Sequence, residues 1–226
     1  GYFWGSYNKN VVNAYSDENV NTIGRYYSAE LRSYKLDLGL QYTLPLGKND
    51  KINIGATYSP GHTVAGTAEL KEISNSANIS DTTSYFQNNK LFIPTTFGAG
   101  VSWYHSTKWR VGIDYNMQKW SERGFPDLQN NDYVLSKNVL MDRQKITVGG
   151  EYVPNARSRN YFHRVHIRAG MSYATPYIKV NGKDGPKELS TSIGFGLPIT
   201  NTWNNRSLLN ISAQWVRNSA DGLISE

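Results

Sequence analysis

The sequence predicts an all-β fold: an antiparallel transmembrane up-and-down β-barrel with about eight strands in view. Three observations predict it. Apolar residues alternate with small or polar ones through eight segments of about ten residues each. The connections between those segments are alternately short and long. The non-apolar face carries glycine, serine and isolated charges, where a water-facing sheet is typically rich in lysine, glutamate and threonine.

Each element follows from the two-residue period of a strand, which sends successive side chains to opposite faces. Between Lys35 and Leu44, Leu36, Leu38, Leu40, Tyr42 and Leu44 alternate with Asp37, Gly39, Gln41 and Thr43. Ile52, Ile54, Ala56 and Tyr58 alternate with Asn53, Gly55 and Thr57. Phe97, Ala99, Val101 and Trp103 face away from Gly98, Gly100 and Ser102. Trp109, Val111, Ile113, Tyr115 and Met117 do the same against Arg110, Gly112, Asp114, Asn116 and Gln118. A fifth segment sets Ile146, Val148 and Tyr152 against Thr147, Gly149 and Glu151, and a sixth sets Val165, Ile167, Ala169, Met171 and Tyr173 against His166, Arg168, Gly170 and Ser172. The seventh, from Leu189 to Ile199, interleaves Ile193, Phe195 and Leu197 with Ser190, Ser192, Gly194 and Gly196. The last places Leu209, Ile211, Ala213 and Trp215 opposite Asn210, Ser212 and Gln214. No segment reads convincingly as a helix.

The connections PLGKNDK, Ser106–Thr107, NARSRN and TNTWNN are short, whereas Pro60 to Pro94, Ser121 to Met141 and Ala174 to Pro186 are long. Tight turns at one end and extended loops at the other are the habit of an outer-membrane barrel. Within the first long connection TVAGTAELKEIS extends the strand before a solvated tip, SNSANISDTTS; in the second, SERGFPDLQNN is a surface loop with an exposed Phe-Pro turn.

Composition agrees. Only 38% of the 226 residues are apolar and the mean hydropathy is −0.56, yet 13% are aromatic, with 16 Tyr and 6 Trp. Amphipathic rings suit interfaces that are apolar on one side and wet on the other. Tyr42, Tyr58, Trp103, Tyr104, Trp109, Trp120, Tyr152, Phe162, Tyr173 and Trp215 gather at strand ends, as in the two aromatic girdles of a barrel. No apolar run approaches the roughly 20 residues of a membrane-crossing helix. The chain has no Cys, which excludes a disulfide framework and thiolate chemistry. A net charge of +6, scattered along the chain, does not point to nucleic acid.

Arg110, Asp114, Glu151, His166 and Arg168 form the polar cluster of the lumen-facing set. They either line a passage and hold the polar head of a ligand, or form ion pairs that stitch the lumen wall. His62, His105, His163 and His166 raise the question of a barrel lipid hydrolase, but no serine is singled out by spacing, and no catalytic residue is assigned. His163 and His166, three apart on a strand, point to opposite faces, so no metal site is expected. No cofactor is expected either.

IPTTFGAGVSWYHSTKWRVGIDYNMQKWS (Ile93 to Ser121) is similar to the paired strands of the outer-membrane long-chain fatty-acid transporter family, with its Pro-x-x-Phe/Leu-Gly-x-Gly entry, turn and Trp-containing strand ending near Trp-Ser. PKELSTSIGFGLPI, an Asn-rich turn and RSLLNISAQW resemble its C-terminal region, in the style of Bacteroidetes-type members. The similarity spans about Ser33 to Arg217. It implies a 14-stranded barrel with an N-terminal hatch, admitting hydrophobic small molecules such as long-chain fatty acids by diffusion through the bacterial outer membrane. The chain departs from that pattern by opening at GYFWGSYNKN, without hatch or first strands, and by ending at LISE. Residues 1–226 are therefore expected to be one barrel domain, part of a longer protein. The expected partners are membrane lipids and lipopolysaccharide, a hydrophobic ligand, and proteins at the extracellular loops. No enzyme activity is expected. A structural or adhesive barrel acting through its loops, and a lipid hydrolase, are the alternatives.

Overall fold

The computed structural model describes residues 1–13, 22–76, 79–129, 132–137, 139–180, 182–200 and 206–220. These are strands, turns and one 3-10 turn, Phe162–Arg164. No helix among them is long and apolar enough to cross a membrane. The strands are β1 (Tyr2–Asn13), β2 (Thr22–Tyr34), β3 (Leu38–Leu46), β4 (Asp50–Ser59), β5 (His62–Thr63) and β6 (Ala65–Ser76). They continue with β7 (Ile79–Asn88), β8 (Phe92–Ile93), β9 (Thr95–His105), β10 (Trp109–Lys119), β11 (Phe125–Gln129) and β12 (Asp132–Ser136). The last six are β13 (Arg143–Tyr152), β14 (His166–Ala174), β15 (Lys179–Val180), β16 (Lys183–Asp184), β17 (Lys187–Thr200) and β18 (Arg206–Ser219). The Asn-rich turn expected before Arg206 and the LISE end lie outside the described residues.

Contacts divide the chain into two compact units. The second (residues 37–58, 96–119 and 141–226) holds one eight-stranded sheet in the order β3-β4-β9-β10-β13-β14-β17-β18. Each of the eight segments predicted from alternation is a strand of this sheet, and each neighbours the next in sequence. That is an up-and-down meander. The ladders β3–β4, β10–β13, β13–β14, β14–β17 and β17–β18 are antiparallel. Gly47 at φ +72° and Ser106 at φ +53° make the tight turns after β3 and β9, since a short hairpin needs a residue in the left-handed region.

Burial in this sheet is inverted relative to a water-soluble one. Along β9 and β14 the apolar positions are exposed and the Gly, Ser and charged positions are covered. Leu40 is 77% exposed and Ile193, at the centre of β17, is 51% exposed, whereas Ser172 and Ser190 on the opposite face are 7% exposed. Their hydroxyls lie 2.7 Å apart, which satisfies both. Apolar surface covered from water stabilises a fold by about 25 cal/mol per Å². Here that contribution is absent in water, because Leu, Ile, Val and Trp side chains stand outward in a continuous band. Such a face is suited to hydrocarbon, where apolar side chains cost nothing to expose.

The aromatics divide. Trp103 and Trp109 stand on the apolar face, with Trp109 packed on Tyr152 at 4.3 Å between ring centres. Tyr104, grouped with the girdle by sequence, belongs to the polar face and carries Lys51 and Arg110 over its ring. Trp120 falls in the other unit and meets Phe92 edge-on at 5.8 Å.

The first unit (residues 1–36, 59–95 and 120–140) holds a four-stranded antiparallel sheet in the order β1-β2-β6-β7, the hairpin β11–β12 and the bridge β5–β8. Its core centres on Leu70, which is fully buried, with Ala29, Val64, Ala68 and Leu140. Arg25 and Glu72, partners across β2 and β6, form an ion pair at 2.8 Å. TVAGTAELKEIS, read from sequence as an extension of the preceding strand, instead supplies β6, a separate strand paired with β2 and β7 rather than a continuation of β4. The Phe-Pro turn is corrected: Phe125 and Pro126 begin β11, paired with Ser136 and Leu135. Proline is tolerated in so short a two-stranded ladder, where its missing N–H need not feed a further strand.

Candidate functional site

The polar face of the eight-stranded sheet is the candidate site, and register decides which of its charges meet. Arg110 on β10 pairs in register with Glu151 on β13, which pairs in turn with Arg168 on β14. Arg168 donates from Nε to Glu151 Oε2 and from Nη1 to Asn210 Oδ1 on β18, the latter at 2.6 Å. His166 Nδ1 lies 3.4 Å from the same Glu151 oxygen, close enough for attraction when protonated but outside hydrogen-bond geometry. Glu151, His166 and Arg168 are therefore one cluster. Arg110 turns toward the Tyr104 ring, 4.9 Å from its centre.

Asp114 stands apart. It is four residues along β10 from Arg110, a span of about 13 Å at strand rise, and borders a cavity of about 620 Å³ on the polar face of β3, β4, β9 and β10. Glycines make this hollow. A Cβ at Gly98 would collide with Thr57 Oγ1, and one at Gly100 with Asp114 Oδ1, so both side chains lie flat across a neighbouring strand. Gly39 and Gly55 leave room for a Cβ, which would make only ordinary contacts, at 3.9 Å to Thr57 and 3.8 Å to Leu40 O. Gln41, Asn53 and Asn116 supply amides around the rim, and Asn53 Oδ1 is buried without a hydrogen-bond partner. A buried acceptor left open costs about 1–3 kcal/mol and favours a molecule that donates to it.

Two further ion pairs escaped the sequence-based list. Arg143 and Glu188 meet at 3.4 Å on the same polar face. Asp50 accepts from Trp103 Nε1 at 3.0 Å and lies 2.8 Å from His105 Nδ1, beside the short turns after β3 and β9. Register of β4 against β9, strands far apart in sequence, would have been needed to find the second.

The remaining histidines answer the hydrolase question in part. In the first unit His62 Nε2 lies 2.8 Å from Ser33 Oγ and its ring stacks on Tyr34 at 4.3 Å. Ser33 is 6% exposed, and among the described residues no carboxylate orients the other ring nitrogen. A triad nucleophile needs both access and that third group. His163 meets Ser158 at 3.4 Å in the turn before β14. No group of three or more metal-ligating side chains occurs among the described residues.

Glu151 pairs with Arg168 and lies beside His166, so its replacement tests the cluster. Glu151→Gln keeps the shape and removes the charge that Arg168 and His166 share. The side chains of Glu151 and Arg168 are 20% and 38% exposed, so water screens much of the interaction, and a loss of about 1 kcal/mol is expected. Denaturant unfolding in detergent micelles measures it. The double replacement with Arg168→Gln should recover part of the loss, and full additivity would mean that the pair contributes no coupling.

A family model described as BamG matches residues 1–226. No curated protein matches the chain. Among solved structures the chain is similar to one described as the CymD monoaromatic hydrocarbon channel, with 14% sequence identity and a TM-score of 0.50. The superposition covers 97% of this chain and 72% of that one. At this identity the likeness concerns the fold.

Proposed function

We propose that this chain, which belongs to the BamG family, forms wall strands of an outer-membrane barrel that passes small hydrophobic molecules by diffusion. The observation that carries the reading is the inverted sheet: apolar side chains stand outward in a band, and the opposite face is hollowed by glycine and edged with amides. A wall of this kind offers a passage without strong binding, which conduction requires. The likeness to a chain described as a hydrocarbon channel supports the same reading at the level of fold. Long-chain fatty acids are the substrates we favour, from the resemblance of Ile93 to Ser121 to their transporters. No catalytic step, cofactor or metal enters the proposal.

A second reading has its own observation. Tyr2, Trp4 and Phe86 of the first unit are exposed, Trp4 to 75%, and exposed aromatics are common anchors for protein partners. An adhesive or structural barrel would use them.

Proteoliposomes separate the two. The full-length protein should raise the entry of a labelled long-chain fatty acid, or of a small aromatic hydrocarbon, well above empty liposomes. Entry no faster than in the empty control overturns the channel reading and leaves the loop-binding one.

A further inference from the structure

A second cavity, in the first unit, has chemistry of a different kind. It measures about 640 Å³ and is bordered by Lys90, Arg123, Lys137 and Glu122, with Thr63 and Asn89. Three cations and one carboxylate leave a formal charge of +2 around a single concavity. Like charges gathered in a hollow repel one another and focus a positive potential, which an anion relieves.

The backbone holds these groups in place. Asn89 sits at φ +53°, its N–H donates to Gly66 O at 2.7 Å, and its Oδ1 accepts from Gly66 N at 3.0 Å. This fixes the chain where Lys90 begins. Arg123 Nη1 donates to Thr63 Oγ1 at 3.1 Å, which aims the guanidinium across the cavity wall. Gly124 lets that loop close on β12, since a Cβ there would stand 3.0 Å from Leu135 Cβ. Lys137 follows Ser136, the buried last residue of β12. Among the described residues no ion pair engages Lys90, Arg123 or Lys137.

We propose that this cavity binds the phosphate group of an organic phosphate. The net charge matches a phosphomonoester dianion, Arg123 offers a planar fork of donors and the two lysines offer point charges. The volume leaves room for the sugar or headgroup that carries the phosphate. Such a group could come from a lipid headgroup or from a soluble sugar phosphate, and the experiment distinguishes them.

The full-length protein in neutral-detergent micelles would be titrated calorimetrically with glucosamine 1-phosphate, with lipid A, and with dephosphorylated lipid A. Both phosphate-bearing probes should bind saturably, and the dephosphorylated one should not. Arg123→Gln and Lys137→Gln should each weaken binding about tenfold, the value of one charge-assisted hydrogen bond. Glu122→Gln should tighten it about threefold by removing the opposing charge, a gain that a damaged fold cannot produce. Lipid A binding at least about tenfold tighter than glucosamine 1-phosphate assigns the site to a lipid headgroup, and equal affinities assign it to a soluble phosphate. Absence of saturable binding by either phosphate probe overturns the proposal. So does an unchanged affinity in the triple Lys90→Gln, Arg123→Gln, Lys137→Gln variant, or weaker binding in Glu122→Gln.

Discussion

Replacing Ile193 by arginine is expected to destabilise the eight-stranded sheet in a bilayer by about 2–4 kcal/mol, the cost of a cation at the midplane on the lipid face of a barrel. Ile193 is the right position because it lies at the centre of the 14-residue β17, half exposed, with Ala169 and Ala213 as its lateral partners. No neighbouring carboxylate is in register with it, and small partners give an arginine little to lean on. One residue away, Ser192 belongs to the polar face and pairs with Gly170 and Gln214. Ser192→Arg is expected to cost less than about 1 kcal/mol, since lumen positions accept charge. Equilibrium unfolding in phospholipid vesicles, read by heat-modifiable mobility and tryptophan fluorescence, compares the two. Equal costs would show that the apolar face does not meet hydrocarbon, and the inverted burial of the sheet would then need a protein partner instead.

That contrast rests on something the sequence makes visible and something it hides. Alternation exposes the eight strands because period two needs only local information, and the glycine and serine on one face mark it as crowded. The same reasoning locates Glu151, His166 and Arg168 on one face, and antiparallel pairing of consecutive strands makes their meeting foreseeable. The connection between β13 and β14 is nonetheless longer than the NARSRN turn read from sequence and spans residues 153–165. The first unit is different. Its pairing of β2 with β6 joins Thr22 to Asn75 and Arg32 to Ala65, contacts far apart in sequence, and its strands lack a clean period: ISDTTSYFQN is polar on both faces. Loop-like composition concealed them, as it concealed the β11 strand behind a Phe-Pro pair. Lys90, Arg123 and Lys137 are scattered cations in the sequence, and only that long-range pairing brings them around one cavity.

Register also decides the glycine hollow. Gly39, Gly55, Gly98 and Gly100 are legible one by one as small residues, but their meeting across four strands depends on the ladder order β3-β4-β9-β10. Their roles then diverge. Gly98 and Gly100 are covered by Thr57 and Asp114, so a side chain there must displace its neighbour. Gly39 and Gly55 line the cavity and leave room for a Cβ, which would make only ordinary contacts at 3.9 and 3.8 Å, so a side chain there is directed into the cavity.

The second large effect follows from that difference. Gly55→Phe is expected to fold as well as the parent, and to gain about 0.5–1 kcal/mol from the reduced backbone freedom of the unfolded strand. Its ring projects into the 620 Å³ cavity and should lower the flux of a hydrophobic probe into proteoliposomes at least about tenfold, equivalent to roughly 1.4 kcal/mol on the barrier. Gly100→Phe is the contrasting variant: it must expel Asp114 from its seat and should impair folding as well as flux. The informative result is the one where folding and flux separate. A Gly55→Phe protein that folds and conducts like the parent would place the passage away from this wall. A protein that folds and no longer conducts would identify the bare backbone of Gly55 as part of the path, with the lack of a side chain as its contribution.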